Sequence, residues 1–222
     1  MPKSAKPRKV LTRDRVLAAA LALVDRRGLD ALTMRSLGES LGVEAMSLYR
    51  YCPSKADLHA GIADRVLAEI VFTPQNRGWR LDLGNAMRGF WRVLVKHPNA
   101  VPLMLTTPLD TPRGREAGEG MIRLVGQAGF APRDGHRIFR MLQAFALGTA
   151  LMLRASRPGA AVVTTDGEPG GDYPLLRAAL PDPGSIDLEA DFELGLELQL
   201  DGIEAARAKK LTPKRKRIRP VH

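Results

Sequence analysis

The sequence predicts an all-α protein with a small N-terminal helix-turn-helix bundle of three helices and a larger helical domain behind it. Two observations carry that expectation. Apolar residues recur at three- and four-residue spacing along nearly the whole chain, with no convincing strand run. Glycine and proline fall where the periodic stretches end rather than inside them. The 222 residues are 45% apolar and 26% charged, enough for a substantial core without disulfide or metal staples. No repeat of 20–50 residues is visible.

The elements follow in order. Thr12 is placed to cap a helix whose face carries Val16, Ala19, Ala20, Leu23 and Val24, and Gly28 ends it. Thr33 opens a short helix with Leu37 and Leu41, closed by Gly42. Val43 sits in the turn, and a third short helix runs from Glu44 to Tyr51 before Pro53. Ser54-Lys55-Ala56-Asp57 matches a capping box at the start of a helix with Leu58, Ile62, Val66, Leu67 and Ile70. The stretch 73–78 (TPQNRG) breaks the pattern and is the expected domain boundary. Further helices are predicted over Trp79–His97, Asn99–Leu105, Arg113–Gln127 and Pro132–Ala155, the last with Ile138, Leu142, Phe145 and Met152 inward. A Gly/Pro-rich loop at 158–172 precedes a short helix over Tyr173–Leu180 and a final one over Asp187–Lys209. The expected organisation is a basic arm (1–11), a helix-turn-helix domain with its connecting helix (12–72), a larger domain (79–208) and a basic tail (209–222).

The net charge of +10 is unevenly placed. Residues 1–15 carry +5 and residues 207–222 carry +8, which leaves 16–206 at −3. A polyanionic partner is implied, met first by two basic ends. The single cysteine, Cys52, fits a reducing compartment, and the N-terminus has no apolar segment of a secretory signal. Met141–Leu153 is too short to span a bilayer. The expectation is a soluble, cytoplasmic protein with no membrane partner.

The helices Thr33–Leu41 and Glu44–Tyr51, joined by a glycine-containing turn, have the spacing of a helix-turn-helix. Leu37, Leu41, Val43 and Leu48 are placed to hold them together, leaving Ala45, Met46, Ser47, Tyr49, Arg50 and Tyr51 outward. Such a helix fits a DNA major groove, where short side chains let the backbone approach. Ser47 and the tyrosines can bond phosphate oxygens, Met46 can lie against a thymine methyl, and Arg35 and Lys55 are candidate phosphate contacts. A structural three-helix bundle has the same periodicity. Residues 16–72 sum to only −1, so the basic arm supplies part of any attraction to DNA. His59, His97, His136 and His222 have no metal-ligand spacing and read as exposed or hydrogen-bonded histidines. No nucleophile elbow, phosphate loop or dinucleotide turn occurs, so neither an enzyme nor a cofactor or metal site is expected.

The run from Leu11 to Leu58, LTRDRVLAAALALVDRRGLDALTMRSLGESLGVEAMSLYRYCPSKADL, strongly resembles the DNA-binding domain of TetR-family transcriptional regulators. The family's pattern is met by Gly28; Leu32, Thr33, Arg35 and Leu37; Leu41, Gly42 and Val43; Leu48 and Tyr49; Lys55 and Leu58. The resemblance implies a dimeric regulator, most simply a repressor, reading a pseudo-palindromic operator. It implies DNA contacts at Thr33, Arg35, Met46, Ser47, Tyr49, Tyr51 and Lys55, with Ala45 beside them. Trp79 and its helix, Tyr173-Pro-Leu-Leu-Arg and Phe192-Glu-Leu-Gly-Leu-Glu-Leu look like the tetracycline-repressor subgroup's ligand-binding and dimerisation domain.

The subgroup's drug-binding groups do not carry over. A histidine near the end of the fourth helix corresponds to Val71, an asparagine to Asn85 or to Ala86, and the magnesium-binding histidine falls at or near Met104. Phe90 and Thr107 match. A largely apolar effector is therefore expected, held among Asn85, Phe90, Met104, Thr107, Met121 and Phe145; core filling is the alternative for each methionine and aromatic ring. Gly195 and Gly202, one heptad apart, permit close helix approach. With Phe192, Leu196 and Ile203, and with Phe145 and Met152 of the long helix, they form the expected homodimer interface. A helical small-molecule-binding protein without sequence-specific DNA binding is the alternative.

Overall fold

The computed structural model describes residues 10–106, 111–155, 175 and 187–208. Nine α-helices and no strand occur among them: α1 Arg13–Arg27, α2 Met34–Leu41, α3 Ala45–Leu48, α4 Lys55–Leu67, α5 Trp79–Lys96, α6 Val101–Thr106, α7 Pro112–Gln127, α8 Pro132–Ala155 and α9 Leu188–Ala208. The basic arm before Val10, Thr107, the 158–172 loop, the predicted 173–180 helix apart from Leu175, and the basic tail lie outside the described residues.

The helix starts are set by side-chain caps. Thr12 accepts from Arg15 N at 3.2 Å, and Ser54 accepts from Asp57 N at 3.0 Å. At α2, Thr33 and Ser36 each accept from the other's backbone N–H at 3.0 Å, a reciprocal box invisible in the S/T-x-x-E/Q pattern because serine supplies the return bond. Each cap satisfies an otherwise orphaned N–H and is worth about 1 kcal/mol. Only half of the expected Ser54 box forms, since the Asp57 carboxylate instead receives two bonds from Arg13.

The chain divides into two compact units. The first holds Met1–Val71, Gly89–Glu116 and Ala150–Ala160; the second holds Phe72–Arg88, Ala117–Thr149 and Ala161–His222. In the first unit α1 packs on α2 and α4, α2 on α3, and α4 on α6. Val16, Ala20, Val24, Leu37, Leu48 and Ile62 have no exposed surface, and this apolar centre holds the bundle. Leu41 and Val43 are only half-buried, so Leu37 and Leu48 do most of the joining of α2 to α3.

Helix α3 is shorter than its sequence suggests. Its single turn ends at Leu48, whose carbonyl takes both Tyr51 N and Cys52 N at 2.9 Å. That double acceptance closes a turn over 49–51 before Pro53, a residue that disfavours helix just ahead of it. Helix α6 likewise begins at Val101, two residues after the predicted start.

Buried polar groups tie the first unit together. His97, 5% exposed, places Nδ1 at 2.9 Å from Asp25 Oδ2 and Nε2 at 3.0 Å from Glu69 Oε2. His59 departs from the expectation of an exposed or bonded ring: its Nε2 is buried without a partner, and burial, aided by the nearby Lys55 charge, lowers its pKa. In the second unit, Phe145 of α8 stacks on Phe192 of α9, with centroids 5.6 Å apart and planes at 13°. Two ion-pair ladders join α5 to α9: Arg80 to Glu197 and Asp201, and Arg88 to Glu193 and Glu197.

The helix-turn-helix depends on one close approach. A Cβ at Gly38 stands 2.8 Å from the carbonyl oxygen of Val43 and 3.2 Å from Ala45 N, both backbone atoms that cannot swing away. Gly42 adds the left-handed turn, with φ +66°. Gly38→Ala is expected to cost about 1–3 kcal/mol of head stability by forcing α2 and the turn apart, read as a lowered urea midpoint. Glu69 gives a pH signature. Its carboxyl is held below its ordinary value of 4.5, chiefly by the Lys96 hydrogen bond and further by His97, against burial. The stabilisation from its charge is therefore full above about pH 4.5 and lost as pH falls through the depressed folded value. Wild type and Glu69→Gln should differ in urea stability at neutral pH and converge on acidification.

Candidate nucleic-acid interface

The α2–α3 corner turns one set of side chains inward and another out. Leu37 and Leu48 are fully buried, while Met46 is 75% and Tyr49 43% exposed. Thr33, Arg35, Ser47 and Lys55 are exposed, and Ala45 and Tyr51 are half-buried. All eight sequence-predicted contacts therefore belong to one unit and none is sunk in its core. Met46 and Tyr49, three residues apart, thus leave apolar surface in solvent on the outward side of the corner.

Three of these residues carry structural duties as well. Thr33 Oγ1 caps α2, so its hydroxyl is engaged before any phosphate arrives. Arg35 Nε donates to Glu39 Oε1 at 3.1 Å, an i,i+4 pair in which both side chains are more than half exposed. A pair so open to solvent is worth little and exchanges readily for a phosphate. The Tyr51 carbonyl accepts from Arg13, which also holds Asp57. Lys55 stands in the first turn of α4, where the helix dipole and its own ammonium favour the same anion.

Arg13 and Gly38 are the residues that sequence reading missed. Arg13 counts among the basic residues of the first fifteen, yet its guanidinium, although exposed, is engaged by partners within the chain. It forms a bidentate pair with Asp57, lies 3.7 Å from Cys52 Sγ, and has its pKa raised mainly by the Asp57 bond. Its signal was the i-to-i+44 charge pair, which no local pattern reveals. Burial pushes the Cys52 thiol pKa up, so this cysteine is a core residue.

The expected effector residues are dispersed between the units. Phe90 and Met104 are buried in the first; Met121 is buried, and Asn85 and Phe145 half-buried, in the second; Thr107 lies outside the described residues. A cavity of about 370 Å³ in the second unit is lined by Arg77, Gly78, Trp79, Arg80, Leu81, Arg88, Glu197 and Leu200, none of them among the six. Among the described residues no group of three or more His, Cys, Asp or Glu is arranged to hold a metal, and no helix is long and apolar enough to cross a membrane.

The residues expected at the dimer interface divide between the chain's own core and its surface. Phe192 and Leu196 have no exposed surface and Ile203 is 6% exposed, so all three serve the chain's own core. Gly195 admits the Phe145 ring into the space a Cβ would need; its small size serves packing within the chain. Phe145 itself is half-buried in that stack. Met152, expected inward on α8, is 61% exposed, and Gly202 is exposed. The apolar side chains that α9 turns to solvent are Leu194 and Leu198, 63% and 62% exposed, and α8 adds Met141 at 59%.

Comparison with known proteins agrees with this geometry. Residues 16–62 match the model of bacterial regulatory proteins of the tetR family, and residues 73–207 match the tetracyclin repressor-like C-terminal domain. The class D tetracycline repressor protein of Escherichia coli is 31% identical over 198 residues, covering 87% of this chain and 89% of the relative. A possible TetR family transcriptional regulator from Streptomyces coelicolor has a similar structure, with TM-score 0.76 and 30% identity over 87% of this chain and 99% of that one. So does the Streptomyces coelicolor TetR family protein ActR in complex with actinorhodin, with TM-score 0.76 and 28% identity over 89% and 99%. With both of its parts matched and its outward α3 face in place, the chain belongs to the TetR family of bacterial regulatory proteins.

Proposed function

We propose that the protein is a ligand-responsive transcriptional repressor whose dimer reads a pseudo-palindromic operator and releases it on binding a small, largely apolar effector. The observation that carries this reading is the division of the short α3 corner. Leu48 is buried to hold it while Met46, Ser47, Tyr49 and Lys55 face solvent as a set suited to base edges and phosphates. Relatives named as tetracycline repressors support the regulatory role, and a neighbour in complex with actinorhodin supports a small-molecule effector. The subgroup's magnesium-ligating position is Met104 here, 3% exposed, which favours an apolar ligand over a metal-chelated one.

A dimer follows from the apolar residues left in water. Leu194, Leu198 and Met141 are each more than half exposed on two helices whose inner sides are already packed together through Phe145 and Phe192. A second copy burying this face removes the cost of exposing it. Two heads joined in this way can address successive half-sites. An effector acts by binding more tightly to the arrangement in which those half-sites no longer match.

Three outcomes are expected. Tyr49→Ala should weaken binding to the selected operator by tenfold or more, read by fluorescence anisotropy, with an unchanged melting temperature; an unaltered affinity would remove Tyr49 from the interface. Lys55→Ala should lower the slope of log affinity against log salt by about 1, the signature of one lost phosphate contact. Leu194→Glu with Leu198→Glu should turn a dimer into a monomer by sedimentation at micromolar concentration; a persistent dimer places the interface elsewhere.

A further inference from the structure

We propose that His97 is a positioning residue for operator reading, clamping the far end of α1 to the far end of α4 so that the recognition segment is held at a fixed angle. The proposal rests on the repressor reading above and adds a device to it. Asp25 is near the C-terminal end of α1, and Glu69 follows the last turn of α4. One imidazole, donated by the end of α5, lies between the two carboxylates at 2.9 and 3.0 Å. The site is reinforced from three sides. Lys96 donates to the same Glu69 oxygen, Asn99 Nδ2 donates to the Asp25 carbonyl at 2.9 Å, and Arg154 Nε donates to Asn99 Oδ1 at 3.3 Å.

Stability alone is a poor reason for this cluster. A half-buried polar cluster seldom outperforms well-packed hydrophobes of the same volume, because desolvation offsets much of the electrostatic gain. Here the second oxygen of Asp25, Oδ1, is also buried with no hydrogen-bond partner, a further cost. What such a cluster supplies that leucines cannot is direction: each nitrogen has one partner and one geometry.

The other end of α1 shows where that direction is used. Arg13, twelve residues from Asp25, holds the Tyr51 carbonyl and the Asp57 carboxylate, at the end of the recognition segment and the start of α4. Twelve residues of helix span about 18 Å, so a tilt of roughly 5° about the clamp moves the Arg13 end by roughly 1.5 Å. Base-edge hydrogen bonds do not survive such a shift, whereas attraction to phosphates does. The clamp therefore acts on selectivity rather than on DNA affinity as such.

The test uses the full chain and two duplexes: one selected by the wild-type protein from a random pool, and a scrambled duplex of equal length. Glu69→Ala opens half the clamp. It is expected to weaken binding to the selected duplex about tenfold, to change binding to the scrambled duplex less than twofold, and to speed amide exchange in α1. Glu69→Gln keeps an acceptor for His97 and should stay within threefold of wild type. Lys96→Ala removes only the outer ion pair and should do the same. Equal losses on both duplexes, wild-type binding by Glu69→Ala, or a Lys96→Ala loss as large as that of Glu69→Ala each overturn the proposal. Should Glu69→Ala unfold, the triple variant Asp25→Leu, His97→Leu, Glu69→Leu replaces the cluster with apolar volume. It is expected to fold and to lose the selected duplex only, and wild-type selectivity in it overturns the clamp. Failure of the wild type to enrich any duplex refutes the regulator reading instead, and the exchange of α1 amides still reports whether the clamp fixes that helix.

Discussion

Between α2 and the turn into α3 there is no room for a methyl group. The Val43 carbonyl and the Ala45 amide occupy the space a side chain at Gly38 would need, and this close approach sets how α3 leaves α2. The rest of the head follows from it. With the angle fixed, Leu37 and Leu48 meet in the core, and the opposite side of one helical turn is left to carry Met46, Ser47 and Tyr49 outward. A four-residue helix cannot hold its own shape in water. It persists here because its one buried leucine, its backbone contact with α2 and the double acceptance at the Leu48 carbonyl define it from outside. The recognition surface is thus a property of the bundle rather than of α3.

Charge plays a different part from the one the net value of +10 suggests. Arg13 and Arg65 are consumed in holding α1 to α4, through Asp57 and Asp14, and Arg80 and Arg88 in holding α5 to α9. In the head, Arg35, Arg50 and Lys55 remain exposed at or beside the α3 corner. Cations attract phosphates of any sequence, so in the proposed reading discrimination depends on fit, which gives geometric devices such as the Gly38 contact and the His97 clamp their weight.

Much of the fold was legible because its punctuation is local. Thr12, Thr33 and Ser54 announce helix starts, Gly28 and Gly42 announce ends, and these boundaries agree with the sequence reading to within a residue. The outward side of the α2–α3 corner was legible for the same reason, since a two-helix corner leaves little choice of which leucines go inside. The phase of α9 was not. Leucines at 194, 196, 198 and 200 alternate, which on a helix places them on nearly opposite sides, so the sequence offers two apolar stripes. Phe192 and Ile203 share the stripe of Leu196 and Leu200 and draw it into the core, leaving Leu194 and Leu198 exposed. The His97 cluster was illegible for a further reason: residues 25, 69 and 97 share no periodicity, and only the folded chain brings them together.

The central claim is that two copies of this α3 corner, held at a fixed separation, read DNA. Selecting duplexes from a random pool with the full-length protein and footprinting the winners tests it most directly. The account predicts two protected half-sites related by a dyad, their centres one helical turn or a whole multiple of about 10 base pairs apart. Enrichment of a single asymmetric site, or no enrichment over scrambled DNA at any salt concentration, would contradict it.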